Sequence, residues 1–269
     1  ASSASWIRSV VVRIWYQGLS SSQRKPVFYR LLNEYARKVG APGTEVEFHG
    51  LITGGLGDHY RSIEMLDTRP LLENALKAER DGFDAFAIGN TLDAGLYEAR
   101  ELVNIPVLGI LETALLVTSM MGRNFALIAP GPKFIPKWEE MVARYGFKNR
   151  LACITSMEYT PQGLEPILDP DYRQKFMDVF MKAARPALDA GAEVLIPVGG
   201  AVVMFMGHYQ VREIENVPVF DSIAAVIKMT EVMVKLRQIT GTFISRKLKY
   251  AQPPKDMLQQ VLKAYQISL

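Results

Sequence analysis

Phe86-Ala87-Ile88-Gly89-Asn90-Thr91-Leu92-Asp93-Ala94-Gly95-Leu96 is an apolar run that closes on glycine and two small polar residues and then passes into helical spacing. About a hundred residues on, Val194-Leu195-Ile196-Pro197-Val198-Gly199-Gly200-Ala201 does the same. Short apolar runs bounded by glycine read as buried strands, and a helix after each makes the sheet parallel. In open α/β sheets ligands gather outside the carboxyl ends of such strands. The two runs therefore predict two strand ends facing each other across a cleft.

The flanking sequence extends this alternation in both directions. Val10–Trp15 reads as a strand, Gln17-Gly18-Leu19-Ser20-Ser21-Ser22 as a polar loop, Pro26–Val39 as a helix and Glu45–Ile52 as a second strand. Thr53–Tyr60 holds three glycines but matches neither the Walker pattern nor the dinucleotide fingerprint, so it reads as a mobile loop over a cleft. Leu71, Leu72, Ala75, Leu76 and Ala78 have helical spacing ahead of the strand at Ala85–Gly89. Beyond it come a helix at Leu96–Leu102, a strand at Pro106–Gly109, a helix at Glu112–Met121 and a strand at Asn124–Ala129. The second half repeats the order, with a helix at Pro136–Tyr145, a strand at Leu151–Thr155, an acidic loop at Glu158–Asp171 and a helix at Tyr172–Ala190. A strand at Val217–Phe220 and helices at Ser222–Ile239 and Pro254–Tyr265 complete the chain. The expected class is α/β: two flavodoxin-like lobes with parallel sheets and the active-site cleft between them. Lobe 1 is expected to take residues 1–117 and 218–269, including a C-terminal extension, and lobe 2 residues 118–217.

Of 269 residues, 49% are hydrophobic and 22% charged, the balance of a globular protein. A net charge of +3 spread over many segments argues against nucleic-acid binding. The apolar stretch Val103–Met121 is broken by Pro106 and Glu112, so no membrane span is expected, and the N-terminus has no secretory-signal pattern. A single cysteine, Cys153, rules out an internal disulfide and an all-cysteine metal site. No His-x-x-x-His spacing or His/Asp cluster points to a metal, and no cofactor fingerprint is present. A cytoplasmic, cofactor-independent protein is the expectation.

Several stretches, taken in order, resemble the aspartate/glutamate/hydantoin racemase superfamily, and most closely its hydantoin-racemase-like branch. They are Gln17-Gly18-Leu19-Ser20-Ser21, Ile63-Glu64, Ile88–Leu96, Ile105-Pro106-Val107-Leu108-Gly109-Ile110-Leu111-Glu112-Thr113-Ala114 and Val217-Pro218-Val219-Phe220-Asp221. The resemblance implies a homo-oligomer and a small-molecule ligand, with Ser20, Ser21, Thr118 and Ser119 holding a substrate carboxylate. It also implies one catalytic cysteine at the matching strand end of each lobe. Here the first position is Asn90 and the second is Gly199, or Gly200 if the gap shifts by one. Asn cannot titrate and Gly has no side chain, so two-thiol racemisation is not expected. Cys153 ends a different strand and reads as a small buried hydrophobe.

The cleft keeps an amide and a hydroxyl at Asn90 and Thr91, open backbone at Gly199 and Gly200, and the loop residue Gln17 as binding candidates. His59 and His208 are candidate bases, His49 reads as structural, and Glu64, Asp93, Glu112 and Asp221 are candidate acids. Glu112 ranks first because it follows an apolar strand, where desolvation would raise its pKa. The expected function is a thiol-independent hydrolase, lyase or isomerase acting next to a carbonyl of a small carboxylate or cyclic amide. The alternatives are a catalytically silent relative that binds a metabolite or serves as an assembly subunit, and a racemase using other bases.

Overall fold

Val12–Gln17 forms strand β1, central in its sheet; the computed structural model describes residues 11–158, 165–169 and 171–267. β1 extends past the predicted Trp15 because both its neighbours pair as far as Gln17: β2 (Thr44–His49) and β3 (Ala85–Ile88) flank it in parallel. Helix α1 (Pro26–Val39) links β1 to β2, and α2 (Arg61–Arg80) links β2 to β3. α3 (Leu96–Leu102) leads to the edge strand β4 (Val107–Gly109), giving the parallel order β2-β1-β3-β4. The apolar spacing from Leu71 predicts only the second half of α2. The first half runs through Pro70 with Met65 and Leu66 exposed, so burial left no periodic signal there.

After α4 (Ile110–Thr118) the second lobe begins with β5 (Phe125–Ala129), α5 (Ile135–Arg144), β6 (Leu151–Ser156), α6 (Tyr172–Asp189), β7 (Leu195–Pro197) and α7 (Gly200–His208). Its parallel order is β6-β5-β7. The protein is thus α/β, with two parallel-stranded lobes of flavodoxin-like architecture. The predicted strand at Val217–Phe220 needs correction. Only β9 (Val217–Pro218) pairs as a strand, antiparallel to β8 (Glu213–Ile214), across a turn in which Glu215 and Asn216 have positive φ. Pro218 has no N–H to extend a ladder, so Val219 makes a single parallel bridge to Leu195 before α8 (Ser222–Thr240) starts. α8 then packs on β3, β4 and β1, and a C-terminal strap leads to α9 (Lys255–Ala264). The acidic loop predicted at Glu158–Asp171 lies largely outside the described residues, apart from a 3-10 turn at Glu165–Leu168. Among the described residues no helix is long and apolar enough to cross a membrane.

One core, with Ile14, Leu32, Ile128, Phe176, Phe180 and Phe205 among its members, joins the inner faces of both sheets. Two others fill the outer faces: Leu71, Phe86 and Ile88 in lobe 1, Leu115, Leu127 and Trp138 in lobe 2. Across the lobes α1 and α7 lie side by side. A Cβ on Gly200 would sit 3.3 Å from the Phe28 ring, and one on Gly207 3.9 Å from the Tyr35 ring. Both pairs recur after seven residues, so the helices run parallel and in register, close because α7 has no side chain at either crossing. Gly89, at the end of β3, is tighter still: a Cβ there would lie 1.9 Å from the Tyr16 ring.

Candidate active site between the lobes

The ends of β3 and β7 meet. The Gly199 N–H donates to the Thr91 hydroxyl at 2.9 Å, and Trp138 of α5 donates its indole N–H to the Thr91 carbonyl at 2.9 Å. Gly199 has φ +89°, and a Cβ would lie 2.9 Å from the Pro130 ring, so glycine is required on two counts. Thr91 is only 3% exposed. The facing of Asn90-Thr91 and Gly199-Gly200 read from the sequence is thus a direct contact.

Asn90 is fixed in orientation. Its side-chain oxygen accepts from the Leu92 N–H at 2.8 Å, which leaves its amide N–H₂ to donate to Asp58 at 3.1 Å. Asp58 comes from the glycine loop, whose floor is set by Gly55 donating to the buried Asp67 at 2.9 Å and by Ser21 donating its backbone N–H to Gly54 at 3.2 Å. Behind Asp58 stands Lys137 of α5, in contact with Glu64 of α2. Burial, and after it the Arg61 charge, push the Lys137 pKa down to about 8, against the pull of the Asp58 and Glu140 carboxylates. Arg61 makes a two-pronged bond to Glu140, 2.9 and 2.7 Å. His59 packs its ring 5.7 Å from Phe134. The loop and the start of α2 are therefore clasped to α5 of the other lobe. The two ion pairs differ in exposure: 13% and 11% for Glu64 and Lys137, 59% and 53% for Arg61 and Glu140. Lys137→Met leaves a buried carboxylate uncompensated and is expected to cost about 3–5 kcal/mol in chemical denaturation, whereas Arg61→Ala is expected to cost under about 1 kcal/mol.

Other candidates are placed elsewhere. Gln17 is wholly buried and its amide is used within lobe 1: Trp15 and Asn74 donate to its oxygen, and its nitrogen donates to the carbonyls of Gly18 and His49. His49 stacks on Trp15 with ring centroids 3.4 Å apart, and burial lowers its pKa. Ser20 and Ser21 do lie at the end of β1 beside the glycine loop. Thr118 and Ser119 end α4, some nine residues from β4, and donate their hydroxyls to Ala114 and Leu116 of their own helix. Glu112 is held by Arg100 at 3.0 and 2.5 Å and lines a different cavity. His208 sits at the far end of α7, about 12 Å along the helix from Gly200, beside a cavity that also holds Tyr35 and Asp221. Asp221 caps α8 through the Ala224 N–H and accepts from the Tyr35 hydroxyl. Cys153 is half-buried in β6, and burial raises its pKa. Among the described residues no group of three or more His, Cys, Asp or Glu side chains could hold a metal ion.

Asp93 caps α4 from a distance, accepting from the N–H groups of Leu111 at 3.0 Å and Glu112 at 2.8 Å and from the Tyr145 hydroxyl at 2.8 Å. Burial nevertheless raises its pKa to about 6. An acid whose folded pKa exceeds its unfolded value near 3.8 binds more protons when folded, so its contribution to stability is present below pH 3.8 and lost as pH rises through about 6. Urea midpoints measured from pH 4 to 7 are expected to show this falling component in the wild type and to lose it in Asp93→Asn.

Asp58 and Lys137 were not singled out from the sequence. Asp58 lies in a loop read for its glycines, and Lys137 is one cation in an amphipathic helix of the other lobe; only the fold brings them to Asn90.

A sequence model of the family described as Asp/Glu/Hydantoin racemase matches residues 26–230. The hydantoin racemase of Pseudomonas sp. (strain NS671) is 29% identical over 179 residues, 66% of this chain and 69% of that protein. The structure is similar to that of allantoin racemase from Klebsiella pneumoniae, with 24% identity, TM-score 0.73 and coverage of 91% of this chain and 94% of that one. It is also similar to allantoin racemase from Pseudomonas fluorescens, with 22% identity, TM-score 0.75 and coverage of 91% and 98%. These two likenesses establish shared fold.

Proposed function

We propose, because this chain belongs to the Asp/Glu/hydantoin racemase family, that it acts without a thiol on a small cyclic amide or carboxylate held between the lobes. Relatives bearing the name hydantoin racemase support the cyclic-amide class. The observation that carries the reading is the oriented Asn90–Asp58 pair at the end of β3, opposite the glycine end of β7. Asp58 is the proton acceptor. Its carboxylate takes the proton from the carbon next to a carbonyl, and the electron pair of that C–H bond moves to the carbonyl oxygen. The first-turn N–H groups of α7 and the Ser20 and Ser21 hydroxyls are the donors available to that oxygen or to a carboxylate. Return of a proton by Asp58 to the same face gives exchange, and delivery from solvent to the opposite face gives isomerisation.

A second reading, ligand binding without turnover, is favoured by the bond between Gly199 and Thr91, which occupies two of the groups facing the cleft. A screen in D₂O against hydantoins, lactams, cyclic imides, malonates and amino dicarboxylates separates the two. Deuterium entering at the carbon, or inversion on chiral chromatography, supports the enzyme. A mass change of water or carbon dioxide assigns hydrolysis or a lyase step instead, and stabilisation without conversion supports the binding protein.

The homo-oligomer belongs to the same proposal. Met257, Val261 and Tyr265 leave an exposed apolar stripe along α9. Light scattering at micromolar concentration is expected to give more than one copy per particle; a monomer refutes it.

A further inference from the structure

A cavity of about 400 Å³ lies on the outer side of lobe 1, away from the β3 and β7 ends. Its walls are Val107 and Leu108 of the edge strand β4, Leu116 of α4, and Met229 and Met233 of α8. Residues 243–245 and Tyr250 of the C-terminal strap roof it, beyond the point where the family match ends at residue 230. The roof is anchored. Arg246 donates to the Arg100 carbonyl at 2.8 Å, to the Tyr250 carbonyl at 3.0 Å and to the Asn104 side chain at 3.0 Å, and also to the Val103 carbonyl. Gln252 donates to the Leu102 carbonyl at 3.0 Å. Strap and α3 end are thus one hydrogen-bonded unit, which holds the cavity open as a shaped space.

Two polar features mark the cavity as built to hold something. The first is the Arg100–Glu112 pair, 16% and 18% exposed, with Arg100 also donating to the Val107 carbonyl at 2.9 Å. Each ion neutralises the other, so the floor presents no net charge. The second is Thr113, 3% exposed, which lines the cavity and makes no hydrogen bond among the described residues. A threonine inside a helix normally returns its hydroxyl to a carbonyl one turn back, as Thr118 does here to Ala114. The Thr113 oxygen keeps some accessible surface, so a group entering the cavity can pair with the free hydroxyl in place of water.

We infer that this cavity is a second binding site, for a neutral, largely apolar molecule of one or two fused rings whose single polar atom pairs with the Thr113 hydroxyl. Methionine and phenylalanine walls suit a flat polarisable ring, and the volume is within the ordinary range for small-molecule pockets. A charged ligand is disfavoured, because Arg100 and Glu112 already satisfy each other and a buried third charge would have no partner.

Titration calorimetry of the full chain with indole, naphthalene and indole-3-carboxylate tests this. Indole is expected to bind more tightly than either of the others. Thr113→Val keeps the shape and removes the hydroxyl; it is expected to weaken indole about tenfold, the effect of one net hydrogen bond, and to leave naphthalene unchanged. Met233→Trp, which fills the cavity, and Ser245→Trp, which blocks its exposed rim without touching the core, are each expected to abolish binding. No indole binding at millimolar concentration, indole affinity unaltered in Thr113→Val, or binding that survives Ser245→Trp would overturn the inference, whether or not Met233→Trp folds.

Discussion

Asp58→Asn is expected to lower turnover on any substrate found in the D₂O screen by about 10²–10⁴-fold, the range ascribed to a positioned acid or base. The substitution keeps the size and planarity of the side chain, and its amide oxygen can still accept from Asn90, which stands 3.1 Å away. Loop position and ligand affinity should therefore change little, so the loss should fall on kcat with KM nearly constant. Deuterium exchange into recovered substrate should fall in parallel, because one carboxylate on one face of the carbon exchanges the proton before it inverts the centre. Unchanged exchange in Asp58→Asn would remove Asp58 from the reaction and leave the rest of the reading standing.

Gly89→Ala is expected to destabilise the fold by more than about 4 kcal/mol, beyond the usual cost of overpacking, and to lower the melting temperature by roughly 8–16 °C or leave the protein insoluble. The added methyl would lie 1.9 Å from a Tyr16 ring carbon. That ring cannot give way: Tyr16 is 1% exposed and packs 4.7 Å from Phe48. β3 cannot shift either, since Gly89 donates to the Gln17 carbonyl at 2.8 Å. Gly82→Ala supplies the comparison. Its site has φ +77° but nothing within 4 Å of a new Cβ, so only the left-handed backbone is penalised, by about 1–2 kcal/mol.

The alternation of strand and helix made the two lobes legible, and the Gly-ended runs located the contact between Thr91 and Gly199, because a strand end is a local feature that the fold then only orients. Side-chain direction was less legible. Glu112 does follow a buried strand, but the helix it enters turns it toward Arg100, twelve residues upstream, and away from the cleft. His208 is close to Gly200 in sequence, yet a straight helix carries it to the opposite end. Thr118 and Ser119 came from resemblance and stand at the wrong end of α4 to meet a ligand at the β4 end. Asp58 and Lys137 matter through a contact between lobes, which no spacing along the chain encodes.

The two edges at which the lobes touch are made of different materials. Along one, α1 and α7 meet through Phe28, Tyr35 and two glycines, a close seam of ring against backbone. Along the other, α2 meets α5 through Arg61–Glu140 and Glu64–Lys137. Salt weakens the exposed Arg61–Glu140 pair by screening, while salting-out ions such as sulfate strengthen apolar burial. Raising sulfate concentration should therefore pull the molecule in two senses at once, like a book whose spine is glued while its clasp is loosened. The shielded Glu64–Lys137 pair keeps the clasp fastened through that change, so ionic strength slackens one of its two ties and leaves the spine intact.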